Sequence, residues 1–192
     1  ERLQVDRIMS YPGADEVFAG VVAMIETSDT FCIVHEPGSV PLEGKLRTAP
    51  KRFWMRNLSV PAHRVVLWQN LGRLAKALGI LHSHGLLHGR IDSYAVFTEG
   101  AQEADFRLGG FEWSLVLGEA RTVHPPLQQV RTKIRQLTYS YAHDWKAIAS
   151  LFASFIGIDP GGLRRADPYI DTDNPIELTD GEIDLLRRMI DP

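Results

Sequence analysis

The sequence predicts an α+β fold: a small β-containing front followed by a mainly helical back. Two observations carry this. Leu67, Leu71, Leu74, Leu78 and Leu81 recur at steps of four, three, four and three, which is one continuous stripe on a helix. Ahead of them, the β-like runs Val17 to Glu26 and Thr30 to His35 flank the polar turn Thr27-Ser28-Asp29. The size and make-up agree with a single domain: 192 residues, 44% hydrophobic and 23% charged. That composition excludes a disordered tail, a collagen-like chain and a disulfide-dense miniprotein.

Taken in order, Glu1 to Met9 reads as a helix with Leu3, Val5, Ile8 and Met9 apolar, broken by Tyr11-Pro12-Gly13. The two β-like runs follow, and Pro37-Gly38 ends the second. Pro41 opens a mixed polar helix or loop. The long helix runs from Pro61 to Leu81, about 30 Å at 1.5 Å per residue, with Ser59 as its expected N-cap and Gly85 just past its end. Two short strands are expected at Tyr94 to Thr98 and Phe106 to Leu108, around the polar loop Glu99 to Asp105. An irregular stretch from Gly109-Gly110 to about Tyr141 contains Pro125-Pro126. A second helix then presents Ile148, Leu151, Phe152 and Phe155. After the loop Asp159 to Asn174, the capping box Thr179-Asp180-Gly181-Glu182 announces a last helix with Leu185, Leu186, Met189 and Ile190 apolar. No self-similarity of 20–50 residues runs through the chain, so a solenoid is not expected.

The formal charge of −3, from 21 basic and 24 acidic residues, calls for neither nucleic acid nor an anionic membrane as partner. Cys32 stands alone, which excludes an internal disulfide and a multi-cysteine zinc site. The longest apolar stretch, Ala147 to Ile158, is shorter than the roughly 20 residues a bilayer requires. With no leader or lipidation motif in view, the expectation is a cytoplasmic domain cut from a longer parent chain.

The segment Leu81-His82-Ser83-His84-Gly85-Leu86-Leu87-His88-Gly89-Arg90-Ile91 resembles the end of helix E and the catalytic loop of protein kinases. The rest of that family's order follows. Asp144-Trp145-Lys146 stands where the buried helix F begins, Asp184 to Pro192 looks like helix H, and the hairpin before Pro37 resembles strands 4 and 5. The resemblance implies a kinase-like fold in two parts. Residues 1–36 would form a partial N-lobe (end of helix C, strands 4 and 5), and 37–192 the hinge and helical C-lobe. Glu36 to Gly38 would be the hinge beside the nucleotide pocket, with His35 at the edge of the second strand.

Phosphoryl transfer in that family requires an Asp to accept the substrate hydroxyl proton, and an Asn and a second Asp to hold magnesium. Aligning His88 with the family's His puts Arg90 at the base and Ala95 at the Asn. Arginine has no acceptor lone pair and stays protonated. Alanine has no oxygen for a hard cation. For the second Asp two registers compete. In one, Phe106-Arg107-Leu108 is the strand and Gly110-Phe111-Glu112 replaces Asp-Phe-Gly. In the other, Asp105-Phe106 supplies the Asp-Phe and Gly100 to Ala104 becomes the strand. The first is preferred because Gly100 to Ala104 has poor β propensity and no alternation. It leaves Gly110 in place of the metal carboxylate. Displaced acids that an active kinase would have to recruit are Asp92, Asp105 and Glu112. The alternative reading of Asp92 is a turn residue bonding local amides.

His88, Phe111 and Asp144 match the family's structural positions. The resemblance therefore implies a pseudokinase, an interaction or allosteric module whose partners are another protein or other domains of the parent. No metal or resident cofactor is expected. ATP and magnesium enter only if the domain is an atypical active kinase or an ATP-sensing switch.

Other chemistries find less support. His82 and His84 lie two apart on a helix, about 200° around it, and do not converge on a metal. Gly38 to Lys45 fails as a phosphate-binding loop because five residues separate its glycines and Leu46 follows the lysine. Gly-x-Ser-x-Gly is absent, and Cys32 in an apolar strand reads as a small inert hydrophobe. Arg131, Lys133 and Arg135 alternate on what reads as a solvated face, and Thr132, Thr138 and Tyr139 are candidate phosphoacceptors.

Overall fold

The fold is that of a computed structural model, which describes residues 2–116, 140–159 and 176–191. Among the described residues it is mixed α+β, with a long leucine-lined helix, Pro61–Ser83, that packs against the helices Ala14–Val17 and Tyr141–Phe155, and three small antiparallel sheets. The candidate phosphoacceptors, the basic run at 131–135 and most of the 159–174 loop lie outside the described residues.

α1 (Arg2–Met9) buries Val5 and Ile8, while Leu3 faces solvent. Val17, expected to begin a strand, instead ends the short helix α2 (Ala14–Val17). Asp15 and Glu16 in its first turn complement the helix dipole, Glu16 pairs with Lys76, and Val17 is buried. The strand starts later, at β1 (Val21–Glu26), and pairs with β2 (Phe31–His35). The Thr27 hydroxyl closes the turn by accepting from the Asp29 and Thr30 amides.

Among the described residues, one face of this hairpin is uncovered. Val22 and Ile25 are more than half exposed, and Cys32, read from the sequence as a small inert hydrophobe in an apolar strand, is exposed too. Alternation gave Cys32 a face, but only the packing of the hairpin decides which face is covered.

β3 (Val40–Pro41) precedes α3 (Leu42–Thr48) and joins a three-stranded sheet with β5 (Val96–Thr98) and β6 (Arg107–Leu108), in the order β3-β5-β6. A 3-10 turn at Trp54–Arg56 leads into α4 (Pro61–Ser83), two residues longer than expected. Its N-cap is Val60, with no side-chain bond, rather than Ser59. With Pro61 as the first helical residue, Ser59 falls one position outside the cap. The leucine stripe of α4 is buried throughout.

β4 (Leu86–Leu87) pairs with β7 (Leu115–Val116), and a 3-10 turn, Phe111–Trp113, precedes β7. Part of the stretch expected to be irregular is thus ordered by its partner strand. α5 (Tyr141–Phe155) begins a turn before Asp144, where Ser140 and His143 form a capping box. α6 (Asp180–Ile190) packs on α5 and buries Leu186, Met189 and Ile190, leaving Leu185 partly exposed. Among the described residues no helix is long and apolar enough to cross a membrane.

The capping box of α6 is present as expected. The Thr179 hydroxyl accepts from the Glu182 amide, and the Glu182 carboxylate accepts from the Thr179 amide at 2.7 Å. Glu182 also accepts from Trp68 Nε1 at 2.5 Å and lies 3.6 Å from Arg64 Nε, tying α6 to α4. Thr179→Ala is expected to cost about 1 kcal/mol, or about 2–4 °C in a melt of a chain this size. An unchanged melting temperature would show that the Thr179 hydroxyl adds nothing to the hold that the backbone amide of residue 179, Trp68 and Arg64 keep on Glu182.

Candidate functional site

The site grows from the C-terminal end of α4. Beyond Ser83 the chain turns through Gly85 and enters β4, which delivers His88 to the interior. His88 is fully buried. Its Nε2 lies 2.7 Å from the Gly109 carbonyl oxygen, and the Arg90 amide lies 3.3 Å from its Nδ1. A carbonyl only accepts and an amide only donates, so the ring is neutral with its proton on Nε2. Burial holds the His88 pKa below the ordinary imidazole value, against the pull of the Gly109 carbonyl and of Asp144, Glu112 and Asp92. Phe111 meets the His88 ring edge-on at 5.8 Å and Phe18 at 4.9 Å.

Asp144, in the first turn of α5, is 1% exposed. Its carboxylate accepts from the His88 amide at 2.8 Å, the Gly89 amide at 2.9 Å and His82 Nε2 at 3.0 Å. Burial raises its pKa, but the bonds from His82, Gly89 and His88 outweigh that and hold it below the usual carboxylate value. Gly89 takes φ of +79°, which suits a residue without Cβ. This turn is what lets two successive amides point at one carboxylate.

Arg90, Asp92, Tyr94, Ala95, Gly110 and Glu112 line a cleft of about 200 Å³. The structure thus brings together the three positions where the resemblance places a base and two metal ligands, and two of the three displaced acids. Asp92 is committed to its turn: Oδ1 accepts from the Tyr94 amide at 2.8 Å and the Ala95 amide at 3.0 Å, and Oδ2 lies 3.9 Å from Arg90 Nε. That turn moves the start of β5 to Val96, two residues later than expected. A Cβ on Gly110 would stand 3.4 Å from that of Ala95, so the two small residues face each other across the cleft. Glu112 keeps one buried carboxylate oxygen without a hydrogen-bond partner among the described residues.

Asp105 is elsewhere. Its carboxylate accepts from the Thr98 hydroxyl and from the amides of Glu99, Gly100 and Ala101, closing the turn between β5 and β6. Residues 100–104 form no strand, whereas Arg107–Leu108 pairs with β5, Val96 opposite Leu108. The strand required by the second register is therefore absent. The strand of the first is present, and Gly110 opens the turn that carries Phe111.

At the expected hinge, Glu36 lies 3.3 Å from Arg107 and Gly38 adopts φ of +91°. His35 Nδ1 is 3.1 Å from the Gly20 carbonyl oxygen, and its ring centroid is 4.2 Å from that of Phe97. Burial lowers its pKa.

The clustered histidines have separate surroundings. His82 is on Asp144, His84 stacks on Tyr11 at 3.6 Å, and His88 is enclosed. Among the described residues, no three His, Cys, Asp or Glu side chains are placed to share a metal ion. Sequence reasoning missed the bond from His82 to Asp144. It also missed Asn70, buried within the leucine stripe, whose Oδ1 accepts from the Phe106 amide at 2.8 Å. A lone amide between Leu67 and Leu71 was the available signal for it.

The chain matches no protein-family model, and no curated protein matches it.

Proposed function

We propose that the chain is a protein-kinase-like domain that transfers no phosphoryl group and works as an interaction or allosteric module, with another protein or a further part of a longer parent as partner. The observation that carries the reading is the Asp144 carboxylate holding the His88 and Gly89 amides beside a cleft lined by Arg90, Ala95 and Gly110. The backbone support for a catalytic loop is kept while the side chains that would do the chemistry are replaced. Phosphoryl transfer depends on a positioned acceptor for the hydroxyl proton and on oxygen ligands for magnesium. Arginine and alanine supply neither. Of the three acids an active kinase would recruit, Asp92 and Asp105 spend carboxylate oxygens on closing turns, and Glu112 lines the cleft, where its substitution tests it directly.

Labelled phosphate from magnesium ATP should not enter the full-length parent or a generic basic substrate. Transfer that is lost in Asp92→Ala, Asp105→Ala or Glu112→Gln would overturn this reading in favour of an active enzyme. Arg90→Asp combined with Ala95→Asn should remain inactive as well, because Gly110 still offers no carboxylate.

A further inference from the structure

We propose that His88 is an acid-released latch on the loop that carries Arg90 and Asp92. The inference rests on the two ring bonds of His88 and holds whichever partner the domain serves. The ring bridges two stretches of chain. Nε2–H donates to the Gly109 carbonyl oxygen at 2.7 Å, and Nδ1 accepts from the Arg90 amide at 3.3 Å. Both atoms are used in the neutral form, in which one nitrogen donates and the other accepts. A second proton can go only to Nδ1. It would then face the Arg90 amide, donor against donor, in a site with no exposure to water. The bond to Gly109 survives protonation and the bond to Arg90 does not. Charging the ring therefore frees one end of the bridge and leaves the other fastened.

The groups facing the ring come from each element around it. Asp144 is on α5, Glu112 in the 3-10 turn after β6, and Asp92 on the loop itself, with Arg90 beside it on the backbone side. Phe111 contributes an uncharged ring. The three carboxylates favour the charged imidazole, while burial disfavours it more strongly. The direction follows. The native pKa lies below the ordinary imidazole value of about 6.5, so the latch is closed at neutral pH and opens as the pH falls through the native pKa. Arg90 and Asp92 line the cleft, so its shape would change with the latch.

The experiment is a pH series from 7.5 to 5 on the intact chain, following the His88 ring nitrogens by NMR together with amide exchange at Arg90 and Gly89. At pH 7.5 the ring should carry its proton on Nε2 alone. As the ring charges, the Arg90 protection factor, corrected for the intrinsic rate at each pH, should fall by up to about tenfold per pH unit between the ordinary imidazole value of about 6.5 and the native pKa, and level off below it. The Gly89 amide, held by Asp144, should keep its protection. His88→Gln, which carries a donor and an acceptor but does not titrate, should lose the acid step at Arg90. The wild-type series decides the matter if that variant does not fold. The proposal fails if the proton sits on Nδ1 at pH 7.5, or if the ring charges with Arg90 protection unchanged. It fails equally if the ring is still neutral when the fold melts, or if His88→Gln keeps the acid step.

Discussion

Asp144→Asn should lower the melting temperature by roughly 6–12 °C, a loss of about 3 kcal/mol in a chain of this size. The carboxylate is buried and takes three hydrogen bonds, from His82 and from the His88 and Gly89 amides. Asparagine keeps one accepting oxygen and turns the other position into a donor. At least one buried donor then faces another, in a place water does not reach. Asp144→Ala removes all three acceptor contacts and should be worse. Helix capping does not account for such a loss, because Ser140 is the N-cap of α5 and Asp144 lies inside its first turn. Thermal melts of both variants beside wild type make the measurement. Hydrogen exchange should show the His88 and Gly89 amides losing protection first. An asparagine variant as stable as wild type would remove the main support for a kinase-like catalytic-loop scaffold.

Phe111→Ala is the other large effect, expected to cost about 3–5 kcal/mol. The ring is 1% exposed and packs edge-on against both Phe18 and His88. Truncation removes this packing and leaves a cavity beside Phe18 and His88, the residues that follow α2 and β4. Against a typical domain stability of roughly 5–15 kcal/mol, the alanine variant can approach unfolding. Phe111→Leu, which fills much of the volume, should cost about 1 kcal/mol and provides the companion measurement. Urea unfolding of the two gives the comparison. Equal stability of the alanine and leucine variants would contradict the packing described for this ring.

The sequence by itself determined the elements whose signals are local. The leucine stripe places α4 because residues three and four apart share a helix face, whatever lies across from it. The Thr179 and Glu182 pair places the start of α6 because both halves of the capping box lie within one turn. The poor β propensity of residues 100–104 was also legible, and with it the preference for Phe106 to Leu108 as the strand, of which Arg107–Leu108 pairs with β5.

Only the tertiary structure decided the rest. β3, β4 and β7 are two-residue strands with no room for a periodic pattern, and each exists because a distant segment supplies its hydrogen bonds: Val40 opposite Thr98, Leu86 opposite Val116. Cys32 shows the same limit from the other side, since alternation assigns a residue to a face and packing decides whether that face is covered. In the site, Asp105 and Asp92 look alike as acids in a row of residues. They separate only when the partners of their carboxylates are known, one closing a turn away from the cleft and the other a turn on its rim. His82 meets Asp144 across 62 residues of sequence, a bond with no local trace. Short-range periodicity reports what a segment prefers when alone. The meeting of side chains on separate segments depends on how all of them pack, and the site is built from such meetings.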